Sequence, residues 1–427
     1  METTAGTYIF IGDIADYISG APIYQRNKAL FLSEKGWRVL VIPIKRGRVY
    51  IKDLSRFAVG SFPFLKCRPS DLRRRDLEEC LNLMTASIGE VQGPCIVETG
   101  TDWSAYWGEI LAERISAKHF VFILDEINPH INRCPDYFWW KYERGELAGI
   151  SGDVVKELFG EDRLPNDIEP LSFSPYCTNS IEDYSWSGAG QWSYWDLNIG
   201  SIGRLEKKYV IQICDSIRRF AISHPEIQIG AYFFGGSDDR TRESVEDGLR
   251  GVSNLHVYIT GYLWPLPLNV LRKMQVFVGG AGGARVPVSI GIPSLCMDIY
   301  GNGCIGFFDE LDSNGLSTLI LTQQKVSLEA QLEKVLRGEK KKFDHIYDAD
   351  SKWQVFCDEF NRQLSYVTEL AWDGLYWCDL KKIPHKKFVP RAGLRILGLK
   401  RFLALRAKLL RESVIPIDSE IWRDRCR

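Results

Sequence analysis

The 427-residue chain has no run approaching the roughly 20 apolar residues that a membrane-spanning helix requires. Its eleven cysteines, scattered from Cys67 to Cys426, contain no C-x-x-C pair. That excludes a disulfide framework or a thiolate zinc site and fits reduced thiols in a cytosol. The six histidines show no H-x-x-x-H or comparable spacing, so no metal is expected. Met1–Thr7 lacks basic residues and the apolar stretch Tyr8–Ile11 is too short for a secretory leader, so a cytoplasmic protein is expected. Internal repeats and low-complexity tracts are also missing.

Acidic residues are absent from one long segment. Lys381 to Arg411 holds eleven Lys/Arg and no Asp/Glu, which leaves 43 basic against 55 acidic residues elsewhere, a charge of −12. An acidic body with a basic tail points to an anionic partner for the tail. Nucleic acid is not expected, because the body is acidic and carries no reading motif. Over Pro390–Arg411, Ile396, Leu399, Leu403 and Leu410 share a helical face flanked by Arg395 and Arg406. Such a helix is expected either on an anionic membrane surface or packed on the acidic body.

What is present is an alternation of apolar strands and amphipathic helices. Thr7–Ile11, a loop to Gly20, a helix from Pro22 stopped by Gly36, and Arg38–Ile44 make a βαβ unit. Cys95–Glu98, Ser104–Arg114 and Phe120–Leu124 repeat the pattern, and Asp136–Phe159 reads as two helical segments around Gly145–Ser151. Periodicity fails between Leu164 and Trp195, where prolines give way to an aromatic, glycine-rich stretch. A second series follows: strands Leu197–Ile202, Ile227–Phe234, Leu255–Ile259, Val276–Val278, Ser294–Met297 and Thr318–Leu321. Helices Lys207–Ile222, Arg240–Leu249, Leu266–Lys273, Arg285–Ile290 and Ser327–Arg337 alternate with them. Alternation of this kind predicts two doubly wound parallel sheets with ligands at the carboxyl ends of strands. The expected layout is a first domain over 1–183, a second over 196–340, a helical segment over 341–380 and the basic tail over 381–427.

Two segments of the second domain have the makings of a phosphate site. Gly203-Arg204-Leu205-Glu206-Lys207-Lys208 follows a strand and opens a helix, where fixed cations and free backbone N–H groups converge. Gly279-Gly280-Ala281-Gly282-Gly283 follows another strand, with Arg285 just beyond. A backbone without Cβ atoms can approach a phosphate closely. Each is a weak sign alone; together, at two strand ends of one sheet, they reinforce each other.

From Leu197 to about Gly315 the chain resembles the donor domain of the GT-B glycosyltransferases that include many bacterial lipopolysaccharide and capsule enzymes. The resemblance rests on Gly203-Arg204-Leu205 with Lys207, on Phe234-Gly235-Gly236-Ser237-Asp238, on Asn254–Tyr262, on Met274–Val278 and on Gly291-Ile292-Pro293. A weaker likeness covers Ser19-Gly20-Ala21 and Glu34–Val39. The family's usual glutamates align with Val278 and Val286, a departure in the donor motif.

The resemblance implies a GT-B architecture: two Rossmann-like domains, a cleft between them and a helical C-terminal extension. It implies transfer of a sugar from a nucleoside-diphosphate sugar to a glycan or lipid-linked acceptor, without cofactor or obligatory metal. Donor contacts would come from Gly20, Arg204, Lys207, Lys208, Gly235, Gly236, Tyr262, Gly282, Gly283 and Arg285. Retention and inversion both stay open. An inverting enzyme needs a base, for which the strand ends of the first domain offer Asp13, Asp102, Asp125, Glu126 and His130, with Asp102, Asp125 and Glu126 foremost. Asp102 could equally cap the helix after it. A sugar-nucleotide epimerase and a non-catalytic glycan- or partner-binding protein are the alternatives. The many tryptophans, among them Trp186, Trp192 and Trp195, could stack on sugar but are expected to be buried.

Overall fold

The computed structural model describes residues 5–44, 47–60, 62–100, 103–124, 135–160, 163–165, 167–280, 282–311, 325–342, 349–377 and 388–409. The chain divides into two compact units. The first takes residues 1–16, 24–176 and 353–427; the second takes 17–23 and 177–352. The segment expected to close the fold over 341–380 is therefore shared between them, and the aromatic stretch before Leu197 belongs to the second unit.

The first unit is built on a five-stranded sheet. Its strands are β1 (Gly6–Gly12), β2 (Trp37–Pro43), β3 (Cys95–Thr99), β4 (Lys118–Ile123) and β5 (Leu147–Gly149). They lie in the order β2-β1-β3-β4-β5 with every pair parallel. Parallel strands covered on both faces read as unbroken apolar runs, and β1 is buried at all its positions. Ile9, Ile11, Leu40, Ile42 and Val97 face one apolar cluster, against the helices Arg74–Ile88 and Trp103–Ile115. Val121 and Ile123 face a second, with Tyr137, Phe138, Val154 and Val155. Periodicity alone gave no strand at β5, which occupies the Gly145–Ser151 break between the helices Pro135–Glu143 and Gly152–Phe159.

The second unit begins with the two-residue strand β6 (Ile181–Glu182) and continues with β7 (Leu197–Ile202), β8 (Ile229–Phe234) and β9 (Leu255–Ile259). After β10 (Leu266–Pro267) come β11 (Val276–Gly279), β12 (Ser294–Met297) and β13 (Cys304–Phe307). The main sheet has the order β13-β12-β11-β7-β8-β9; only the β12–β13 pair is antiparallel, and β10 pairs with β6 apart from it. Tyr209, Val210, Ile213, Ile217 and Phe220 of the helix Lys208–Ser223 pack on one face with Leu197, Ile199, Val276 and Val278. On the other face Tyr232, Phe234 and Phe277 are covered by Trp186, Trp192 and Trp195, so these tryptophans serve the core.

Several expectations need correction. Leu266–Lys273 is β10 followed by the single turn Leu268–Leu271, and the helix placed at Arg285–Ile290 runs over Gly282–Val288. Thr318–Leu321 lies outside the described residues. The tail is two helices, Phe388–Leu397 and Leu399–Leu409, divided at Gly398 with φ +73°. The face expected to join Ile396 to Leu399 and Leu403 is therefore broken: Leu399 is buried while Ile396 is 78% exposed.

Candidate functional site

The order of the second sheet reverses beside β7. Strands β8 and β9 extend on one side of it, and β11 and β12 on the other. At such a reversal the loops leaving the two central strands run in opposite directions, opening a crevice at their carboxyl ends. The chain leaves β7 there through Gly203–Lys207, and leaves β11 at Gly280 shortly before Gly282 and Gly283 open the helix Gly282–Val288.

Close backbone packing shapes this edge. Gly203 N donates to Phe234 O and Leu205 N to Gly236 O, each at 3.2 Å, which ties the loops after β7 and β8 together. A Cβ at Gly235 would fall on the carbonyl oxygen of Gly203, and one at Gly236 would meet the Tyr262 ring at 2.6 Å. A Cβ at Gly283 would overlap the Ile202 carbonyl oxygen. At Gly280 it would come within 2.8 Å of the Tyr209 ring and 3.3 Å of Met297 O. These glycines are needed by neighbouring chain, whatever else the loops hold. Gly282 differs: its added Cβ would meet only Cys177 O, at 3.9 Å. Gly20, also in this unit, lies against the same cysteine, its added Cβ 3.4 Å from Cys177 Sγ.

Arg204 stands where β7 ends. Its guanidinium lies over the Tyr17 ring, 5.7 Å from the centroid, and Nη1 pairs with Glu206 Oε1 at 3.0 Å. Nε is buried with no hydrogen-bond partner among the described residues, yet the side chain keeps 30% of its surface exposed. A half-satisfied guanidinium at a strand end has donors left for an anion. Lys207 is the N-cap of the helix Lys208–Ser223; no side chain caps that terminus, and its first turn carries no acid. Its first N–H groups and Lys208 are therefore available to the same anion. Tyr209 hydrogen-bonds the Gly280 backbone, and burial pushes its phenol up to about 12, so it stays a neutral brace between the two loops. Arg285 is exposed on the helix Gly282–Val288.

The sequence-based candidates of this unit thus gather at the carboxyl ends of β7, β8, β9 and β11. Tyr17, Cys177 and Tyr209 join them. Tyr209 could have been found as the apolar residue on the first turn of the helix that Gly203–Lys208 opens; Tyr17 and Cys177 give no sequence signal.

In the first unit the corresponding reversal lies between β1 and β3, where Gly12-Asp13 and Thr99-Gly100 end the strands. The base candidates Asp102, Asp125, Glu126 and His130 lie outside the described residues. Beneath this edge is a network of charges. His119 Nδ1 is 2.6 Å from Glu109 Oε2, and His119 Nε2 is 2.9 Å from Thr99 Oγ1. Burial pushes the imidazole pKa down, with Lys141 adding to the effect, so the ring is neutral. Its Nδ1–H then donates to the carboxylate, and the Thr99 hydroxyl donates to Nε2. Lys141 bridges Glu109 and Glu146, at 2.6 Å from each. A separate buried ion pair joins Lys28 to Glu98, with the Tyr8 and Tyr24 hydroxyls donating to the carboxylate at 2.5 and 2.8 Å. Both sets are enclosed and complete their own hydrogen bonds, which makes them structural. Among the described residues no group of three His, Cys, Asp or Glu could hold a metal ion.

No protein-family model matches the chain, and no curated protein matches it in sequence. Solved structures do. A glycosyltransferase from Rickettsia africae matches with a TM-score of 0.51 at 10% identity, over 87% of this chain and 99% of that one. A putative UDP-N-acetylglucosamine 2-epimerase from Listeria monocytogenes matches at 0.45 and 11%, over 86% and 97%. An alpha-glucosyltransferase solved with UDP matches at 0.47 and 9%, over 85% and 100%. The fold is GT-B, with two Rossmann-like units. At these identities the likeness extends to fold and not to substrate.

Proposed function

We propose that the protein is a glycosyltransferase that takes a sugar from a nucleoside-diphosphate donor and passes it to a glycan or lipid-linked acceptor. The observation that carries this reading is the placing of Arg204 and the glycine loop on either side of the strand reversal in the second unit of a GT-B fold. Arg204 Nε, the first N–H groups of the helix Lys208–Ser223, Lys208 and the Gly282 backbone would hold the diphosphate. Holding it stabilises the charge that grows on the leaving nucleoside diphosphate as the glycosidic bond breaks, so the rate depends on fixed electrostatics more than on a covalent step. If the transfer inverts the sugar, a general base would take the acceptor hydroxyl proton.

The test is to incubate the protein with a panel of sugar nucleotides, with and without candidate acceptors. Free nucleoside diphosphate and a glycosylated acceptor are expected, with the donor sugar unaltered when no acceptor is present. An isomerised sugar in the acceptor-free reaction would identify an epimerase instead, and loss of neither donor nor acceptor across the panel would count against transfer.

A further inference from the structure

The loop that follows β12 in the second unit is organised around one buried carboxylate. Asp298, directly after that strand, has no exposed surface. Its oxygens accept hydrogen bonds from Tyr300 N at 2.8 Å and Asn302 Nδ2 at 3.1 Å, and Lys325 Nζ pairs with it at 2.8 Å. Asp298 N donates to Gly303 O at 2.9 Å and Gly301 N to Asp298 O at 3.0 Å, which closes the loop on itself. Burial pushes the carboxyl up, but Lys325, Tyr300 and Asn302 together hold it below the usual carboxylate range, so it is ionised. An ionised group is costly to bury unless it is paired and hydrogen-bonded, and here both conditions hold. A network satisfied in this way fixes the backbone around it.

What this loop touches is the proposed donor site. Gly301, at φ +84°, lies against the first residue of the helix Lys208–Ser223: a Cβ there would meet Lys208 Cβ at 3.1 Å and the Lys208 carbonyl oxygen at 3.6 Å. From the second turn of the same helix the Gln212 side-chain amide donates to Gly301 O. The strand end before the loop borders the glycine-rich segment, since a Cβ at Gly280 would lie 3.3 Å from Met297 O. No side chain caps this helix N-terminus. The loop after β12 instead braces the exposed side of its first turn, as Tyr209 braces the buried side against Gly280.

We infer that Asp298 is a positioning residue for the nucleoside diphosphate, holding the loop 298–303 so that Gly301 sets Lys208 and the N–H groups of the first helical turn toward the phosphates. This rests on the reading of that edge as a diphosphate site. Fully enclosed, the carboxylate meets no phosphate itself; Lys325 balances its charge, and it acts through the loop. Position and charge make opposite predictions for its replacement by asparagine. Removing a negative charge and leaving Lys325 behind would, by charge alone, tighten the binding of an anion. Loss of position loosens it.

The test is calorimetric titration of UDP, GDP, ADP, CDP and dTDP into the full chain and into Asp298→Asn, Lys208→Ala and the double variant, each with its melting temperature. Asparagine keeps the shape and one carbonyl acceptor for Tyr300 N, so the fold is expected to persist. For a nucleotide that the wild type binds, Asp298→Asn and Lys208→Ala are each expected to raise Kd about tenfold. The two together are expected to cost far less than the roughly hundredfold that independent sites would give. Gln212→Ala cuts the bond to Gly301 from the helix side and leaves the buried carboxylate intact. It is expected to raise Kd about threefold, and it decides the matter if Asp298→Asn does not fold. Wild-type affinity in a folded Asp298→Asn or, failing that variant, in Gln212→Ala would overturn the inference and leave the diphosphate site standing. So would tighter binding in Asp298→Asn, or effects that multiply in full in the double variant. Binding of none of these nucleotides by the wild type would overturn the site, and the inference with it.

Discussion

At the scale of single residues, two neighbouring glycines face different surroundings. A Cβ at Gly283 would overlap the Ile202 carbonyl, which cannot move without disturbing β7; at Gly282 it meets nothing closer than 3.9 Å. Gly283→Ala is therefore expected to lower stability by about 2 kcal/mol or more, with Gly235→Ala similar, because backbone must shift. Gly282→Ala should keep the fold within about 1 kcal/mol yet weaken nucleoside-diphosphate binding by crowding the approach. Urea unfolding and calorimetry on the same preparations separate the effects. Full nucleotide affinity in Gly282→Ala would remove that backbone from the site. The sequence shows five small residues after a strand; which of them answers to packing and which to a ligand depends on the carbonyls across the sheet edge, and no local pattern records those.

Elements that form a continuous apolar run or a clear helical period were readable, and the shortest ones were not. Strands β7 and β12 match their apolar runs, since strands buried at every position tolerate little else; the edge strand β9 matches its run too, though only Leu255 is buried. Strands β5 and β10 have three and two residues, too few for a period, and β13 turns back antiparallel beside β12, which the alternation of strands and helices does not foretell. In the tail, Gly398 resets the helical phase, so one wheel drawn through both helices misplaces Ile396.

Charges buried between elements were equally hidden, and they set how the first unit responds to acid. Burial pushes the Glu109 carboxyl up, but Lys141 and His119 together outweigh it and hold it at about 2, against an ordinary 4.5. A carboxylate depressed in the folded state stabilises above its unfolded pKa, and that contribution is lost as pH falls from 4.5 toward 2. It amounts to on the order of 3 kcal/mol. His119, buried neutral, acts in the same direction from a higher pH: its contribution fades as pH falls below 6.5, where the unfolded ring takes a proton and the folded one resists. Urea midpoints are thus expected to fall in two stages on acidification. In Glu109→Gln the lower stage should flatten while stability at neutral pH drops. An unaltered lower stage in that variant would contradict the assignment.

For the whole molecule, the outline was legible because two series of strand and helix, each with its own glycine-bearing loops, can bury their apolar faces only as two sheets. The donor side of the proposed reaction was legible in part: Arg204 with Lys208 and the glycine-rich segment are two separate stretches of sequence, each following a strand, and the strand order brings both to one edge. The acid–base side was not, since its candidates Asp102, Asp125 and Glu126 fall outside the described residues. The central claim, that the second unit holds a nucleoside diphosphate at the reversal between β7 and β11, is tested most directly by calorimetric titration. UDP, GDP, ADP, CDP and dTDP would each be titrated into the wild type and into Arg204→Ala. Saturable binding of at least one is expected in the wild type, weakened by about 1.5–3 kcal/mol in the variant, the worth of a charge-assisted hydrogen bond. No binding of any nucleoside diphosphate by the wild type, or equal affinity in a folded Arg204→Ala, would contradict it.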